Sequence, residues 1–211
     1  MSQGNKMKYN PKIHHRRSIR LKGYDYSQAG AYFITICCQD RECRFGKIEN
    51  DQMVLNEFGT IAYNEWNKLP ERFSNFELDV FQIMPNHMHG IIVLVGAGFT
   101  PAQITPAQIT PAQNDKTAGA SRAGASPAPT GDIIGAYKSL VANECLKIFK
   151  SRCVEEKPTP TMGKLWQRNY YEHIIRNEQS YQTISNYIIG NPSKWKDDKF
   201  YSERDPSPNS Y

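Results

Sequence analysis

Apolar and polar residues follow two periods along this chain, and the switches between them divide it into elements. Residues Ala31–Cys38, AYFITICC, are largely aromatic and β-branched, which predicts a strand after the turn in GYDYSQAG. RECRFGKIENDQMVL then reads as a hairpin-rich link. From Asn56 to Leu69 the period lengthens: Phe58, Ile61, Ala62, Trp66 and Leu69 recur at helical spacing, and Pro70 closes the helix. FELDVFQIM is a second strand that runs straight into MPNHMHGIIVLV, whose run Ile91–Val95 has the character of a core strand. Beyond Gly131, DIIGAYKSLVANECLKIFKS carries Ile133, Ile134, Tyr137, Leu140, Val141, Cys145 and Phe149 on one helical stripe. GKLWQRNYYEHIIRN mixes aromatic and basic residues and predicts a strand or irregular ribbon. EQSYQTISNYIIGNP predicts a last helix, with Tyr181, Ile184 and Ile188 on one stripe and Gly190 and Pro192 as its stop. Strand, helix, strand, gap, helix, strand, helix implies an α+β fold with helices on one face of a sheet.

The gap differs in kind. TPAQITPAQITPAQND repeats Pro-Ala-Gln-Ile-Thr, and KTAGASRAGASPAPTG continues with small residues. Nothing between about 97 and 130 can build a core, so this segment reads as a low-complexity insertion within one domain. At 211 residues the chain supports one solid core rather than two. The expected organisation is a basic arm over 1–22 and one domain over 23–211.

Composition adds little except at the N-terminus. The chain is 39% hydrophobic and 22% charged, ordinary for a globular protein. No apolar run is long enough to span a membrane and no apolar leader opens the chain, so the expected location is the cytoplasm with no membrane partner. The five cysteines form no CxxC pair, which favours reduced, mostly buried thiols. The net charge of +5 is concentrated in Lys6, Lys8, Lys12, Arg16, Arg17, Arg20 and Lys22, with no acid among the first 22 residues. Such an arm is either a polyanion-binding element or a solubilising tail.

The candidate chemistry starts at His87 and His89. A strand turns alternate side chains to one face, so the two imidazoles are aimed together at the mouth of a core strand. A His-x-His pair alone is more often structural than catalytic. The last helix changes the reading, because Tyr187 and Asn191 stand one helical turn apart and project from one face. An amide oxygen at that spacing can complete a metal site with two imidazoles, and a tyrosine can attack phosphorus. Neutral imidazoles leave a divalent ion most of its charge for polarising a phosphate oxygen. A phenol with an ordinary pKa near ~10 needs that help. Its attack on a phosphodiester would give a 5′-phosphotyrosine and a free 3′-OH, a bond that conserves the diester's free energy for strand transfer without ATP. Among twelve tyrosines, Tyr170 and Tyr171 beside Arg168 and Glu172 are rivals as nucleophile, or else packing or DNA-stacking residues.

YFITI, MPNHMHGIIVL, AYKSL, LWQRNYYEHIIRNE and YIIGNPSKW occur in an order that resembles REP-associated tyrosine transposases, within the single-tyrosine HUH transposases (His, hydrophobic, His). The resemblance spans roughly residues 16–195 around the insertion. It implies a ferredoxin-like antiparallel sheet with the HUH pair on a central strand. It also implies Tyr187 as nucleophile, and His87, His89 and Asn191 as ligands of Mg²⁺ or Mn²⁺, although wider relatives carry Gln at the Asn191 position. The implied substrate is hairpin-forming single-stranded DNA, handled by a monomer or a homodimer. Lys138, Gln167 and Arg168, together with Arg16, Arg17 and Arg20, then read as DNA contacts. Trp166 reads as a core anchor, His173 as a hydrogen-bonded structural residue, and His14 and His15 as parts of the arm. The rival function is a sequence-specific DNA-binding regulator that keeps this fold without cleavage.

Overall fold

All eight residues of the strand His87–Leu94 are buried, so both of its faces must be covered. The computed structural model describes residues 23–74, 76–95, 129–153 and 161–201. The basic arm over 1–22 and nearly all of the insertion over 97–130 lie outside the described residues.

The chain order is β1 (Gly30–Cys37), β2 (Gly46–Glu49), β3 (Gln52–Leu55), α1 (Glu57–Asn67), β4 (Phe76–Met84), β5 (His87–Leu94), α2 (Thr130–Arg152), β6 (Tyr171–Ile175) and α3 (Glu178–Gly190). Four strands form one sheet in the order β4-β5-β1-β6, with every neighbouring pair antiparallel. With α1 between β1 and β4, and α2 between β5 and β6, this is the β-α-β-β-α-β ferredoxin-like arrangement. The histidine strand is central, as expected. The link after β1 folds into the separate β2–β3 hairpin, whose two turn residues Asn50 and Asp51 take the positive φ of a type I′ turn.

One sheet face carries the main core. Tyr32, Ile34 and Ile36 of β1 and Met88, Ile92 and Leu94 of β5 pack under Phe58, Ala62 and Trp66 of α1. Ile133, Tyr137, Val141 and Cys145 of α2 complete this layer. Trp66 sits so close to β5 that a Cβ on Gly90 would lie 2.8 Å from its ring. Of the five free cysteines, all but the half-buried Cys37 are buried.

The expectation of helices on one face alone is corrected by α3. Ala31, Ile91, Val93 and Ile175 form a second apolar cluster on the opposite face, and Ile188 of α3 closes it, with Tyr181 and Ile184 packed alongside. The physical reason lies in β5. Its consecutive apolar residues point alternately up and down, and the upward set needs a cover that α1 and α2 cannot give. No helix among the described residues is long and apolar enough to cross a membrane.

Candidate active site

β5 begins with the histidines, and its pleat sends His87, His89, Ile91 and Val93 to the α3 face. The register sets Cys37 opposite His87 and Thr35 opposite His89 on β1. Both imidazoles are buried, and their Nε2 atoms face each other at 3.0 Å. Behind them, His87 Nδ1 meets Asn86 Oδ1 at 2.9 Å and His89 Nδ1 meets Thr35 Oγ1 at 2.8 Å. Phe33 stacks on the His89 ring with centroids 5.4 Å apart.

Helix α3 brings the tyrosine. Asn177 caps its start by accepting from Ser180 N at 2.8 Å, and Tyr181 Oη donates to Asp79 Oδ2 at 2.7 Å, fixing the helix against β4. Two turns on, Tyr187 Oη lies 3.1 Å from His89 Nε2. Asn191 stays in helical conformation (φ −62°, ψ −41°) and so projects one turn beyond Tyr187.

The chain then turns through the short 3-10 segment Pro192–Asp197, anchored where Trp195 packs with Cys43 and Met84. This fold-back delivers Asp198, a residue the sequence reading missed. Asp198 Oδ2 accepts from Asn191 Nδ2 at 2.9 Å and lies 3.4 Å from Tyr187 Oη. Ligand atoms of His87, His89 and Asp198 all lie within 4.8 Å of one another. Phe200 leans on His87 with ring centroids 4.6 Å apart, and Arg41 and Lys199 lie over the Phe200 ring at 5.4 and 4.7 Å.

Burial is the main influence on all three titrating groups. It pushes His87 well below its ordinary value, and His89, Lys199 and Arg41 add to the effect. It pushes His89 down to about 3, with Asp198 opposing and Lys199 assisting. It raises Tyr187 to about 12, helped by Asp198 and opposed by the Asn191 amide. Both imidazoles are therefore neutral at pH 7 and the phenol keeps its proton.

This donor set suits a divalent ion. Two imidazole nitrogens and one carboxylate converge, and neutral imidazoles are the form that binds metal. Asn191 Oδ1 is buried with no hydrogen-bond partner, a cost that a cation would remove. Asn191 thus has an oxygen to offer, while its nitrogen holds the Asp198 carboxylate.

No protein-family model matches the chain. A Haemophilus influenzae protein, described only as uncharacterized, is 40% identical over 198 residues, which span 92% of this chain and 97% of that protein. This chain belongs to the family of that protein. Two solved structures are similar in fold at low identity. A REP-associated tyrosine transposase bound to a REP hairpin aligns with TM-score 0.48 and 18% identity, over 83% of this chain and 73% of that one. A proposed transposase from Deinococcus radiodurans aligns with TM-score 0.40 and 15% identity, over 81% and 95% of the two chains.

The other sequence candidates divide between the two sides of the sheet. Tyr170 packs against the α1–α2 core, away from the histidines. Tyr171 is exposed on the α3 face, where it meets Phe33 edge-on at 6.1 Å and Lys199 Nζ at 6.0 Å. His173 is exposed on β6, opposite Phe33 in the register. Trp166 is buried, and its indole donates to Lys138 O at 3.1 Å.

Lys138, read from the sequence as a phosphate contact, has another task. Its ammonium donates to Gln167 O at 2.7 Å and Arg168 O at 3.0 Å, tying the ribbon before β6 to α2. Burial lowers its pKa. Gln167 N donates to the carbonyl of Cys37, the register partner of His87, at 3.0 Å, and Arg168 is exposed. Arg16, Arg17, Arg20, His14 and His15 lie outside the described residues.

Proposed function

We propose that this chain is a metal-dependent, single-strand-specific DNA nicking and strand-transfer enzyme that works through a 5′-phosphotyrosine, as its sequence resemblance to REP-associated tyrosine transposases implies. One observation carries the reading: the Tyr187 hydroxyl lies 3.1 Å from His89 Nε2, which itself faces His87 Nε2 at 3.0 Å. His87, His89, Asp198 and the Asn191 oxygen would hold Mg²⁺ or Mn²⁺, which polarises the scissile phosphate when bound.

In the reaction, Tyr187 Oη forms a bond to phosphorus. The bond from phosphorus to the 3′-oxygen breaks, and its electron pair leaves on that oxygen, which ends as a free 3′-OH. The phenolic proton passes to Asp198 Oδ2, 3.4 Å away, and is returned to water, from which the departing 3′-oxygen takes the proton of its hydroxyl. The ester is reversible, so a second 3′-OH can take the strand back. Hairpin-forming DNA as substrate follows from the sequence resemblance. Gln167 and Arg168 at the histidine end of the sheet, the remaining N–H of Lys138, and Arg16, Arg17 and Arg20 are the proposed strand contacts.

The test is a cleavage assay on single-stranded hairpin DNA with Mg²⁺ or Mn²⁺. Wild type should form a covalent protein–DNA adduct that survives denaturation. Tyr187→Phe should bind both ion and DNA and form none. His87→Ala should bind DNA and hold the ion poorly. An adduct mapped to Tyr171, or none at all in wild type across many hairpins, would overturn the reading; the second result would favour the regulator.

A further inference from the structure

The two histidines are held from behind by different kinds of group, and the difference has chemical content. Asn86 is 1% exposed, and its amide nitrogen donates twice: to Arg41 O at 3.2 Å and to Phe200 O at 2.8 Å. Carbonyl oxygens only accept, so these two bonds settle which end of the Asn86 amide is nitrogen. The end facing His87 Nδ1 at 2.9 Å is therefore the amide oxygen, and Nδ1 must carry the hydrogen. In a neutral imidazole, Nε2 is then a bare lone pair. His89 has no such lock, because its Nδ1 meets the Thr35 hydroxyl at 2.8 Å, a group that can donate or accept.

We propose that Asn86 is a positioning residue that fixes His87 as its Nδ1–H tautomer and aims a permanent lone pair at the ion site, while the Thr35 hydroxyl leaves His89 free to move its proton. The 3.0 Å approach of the two Nε2 atoms then has a simple account. Without an ion, His89 Nε2–H donates to the bare His87 Nε2 and Thr35 donates to His89 Nδ1. When an ion arrives, the His89 proton moves to Nδ1 and the Thr35 hydroxyl turns to accept it. One imidazole is fixed in advance, and the other adapts. The inference that this serves an ion rests on the proposed metal site; the tautomer assignment itself does not.

The experiment is nitrogen NMR on full-length protein labelled with ¹⁵N-histidine, first metal-free and then titrated with Mg²⁺. In metal-free protein His87 should show a protonated Nδ1 and a bare Nε2, and His89 the reverse. Added Mg²⁺ should move the His89 proton to Nδ1 and leave the His87 tautomer unchanged. Asn86→Ala should turn His87 into a tautomer mixture and weaken Mg²⁺ or Mn²⁺ binding by about 10–100-fold, the usual cost of losing such a support. Asn86→Asp keeps an acceptor for His87 Nδ1–H but loses both donors, so it should retain the single tautomer. A role limited to tethering the Arg41 and Phe200 carbonyls would instead put Asn86→Asp with Asn86→Ala, against the proposal. A bare Nδ1 on His87 in wild type overturns the proposal even if both variants fail to fold. The expected His87 tautomer with no response of either ring to Mg²⁺ or Mn²⁺ would support the Asn86 assignment and sink the metal reading instead.

Discussion

Burial holds His89 down to about 3, whereas an unfolded chain would protonate it near ~6.5. Between those two values the unfolded state binds a proton that the folded state refuses. The folded pKa is the lower one, so the stability is fully present above pH 6.5 and drains as pH falls toward 3. His87 is shifted in the same direction by the same cause. Metal-free protein should therefore lose up to about 1.4 kcal/mol per pH unit through His89 as pH falls below ~6.5, with His87 steepening the slope in the same direction. Thermal unfolding in chelator at a series of pH values reads this directly. His89→Gln, which cannot take the proton, should show a visibly shallower slope; equal slopes would mean that His89 is open to water. The same shift keeps protons from competing for the imidazoles, so Mn²⁺ affinity should stay nearly flat from pH 8 to pH 6. An ordinary exposed pair would already weaken there.

Strand β5 and helix α3 each perform two tasks, and a change in either should separate them. Gly90 is glycine because the Trp66 ring occupies the space of a side chain, at 2.8 Å from an added Cβ. Trp66 is fully buried and packed edge-on to Tyr137, so it cannot retreat easily. Gly90→Ala should cost about 1–3 kcal/mol by overpacking, read as a lower melting temperature, while Gly90→Ser should be no better. On the other face, Tyr181→Phe removes the bond to Asp79 that holds α3 upstream of Tyr187. A loss of about 1.5–3 kcal/mol is expected for a bond to a carboxylate, with adduct formation falling as well. Unchanged cleavage would show that α3 is held by its apolar stripe alone. The elements themselves were legible, since apolar periodicity locates FELDVFQIM at the limits of β4 and the other strands and helices close to theirs. The side on which α3 packs was less so. An amphipathic stripe says that a helix is half-buried, not which layer it joins, although the unbroken run Ile91–Val95 already required two covers. His87, His89 and Tyr187 were legible because strand and helix spacing aim them. Asp198 was not, because it arrives by way of Trp195 and a 3-10 turn that carry no periodic signal. The carbonyl bonds of Lys138 were not legible for a related reason: on a helix surface, a lysine that binds carbonyls of a neighbouring ribbon reads the same as one that faces solvent.

The molecule separates its work across one sheet, with α1 and α2 filling one side and the histidine pair under α3 on the other. Separation also runs along β5, which starts at the histidines and ends at Leu94, roughly 24 Å away at about 3.4 Å per residue. The repeat-bearing insertion joins that far end to α2. Replacing most of residues 97–130 with a short Gly/Ser link should therefore leave both melting temperature and adduct yield nearly unchanged, because loop closure costs only about 0.6 kcal/mol per doubling of length. A fall of more than about 10 °C would be too large for closure alone and would mean that the segment supports the body. The arm should behave differently. Removing residues 1–22 should weaken single-strand binding and flatten its log–log salt dependence by about 0.7 for each phosphate the arm neutralises. The geometry of β5 also bears on heredity. Tandem coding repeats gain and lose units when a polymerase slips, and Pro-Ala-Gln-Ile-Thr is such a unit. The units enter the chain at the Leu94 end of β5, farthest from the histidines, so a gain or loss of units leaves the residues of the proposed cleavage site unchanged.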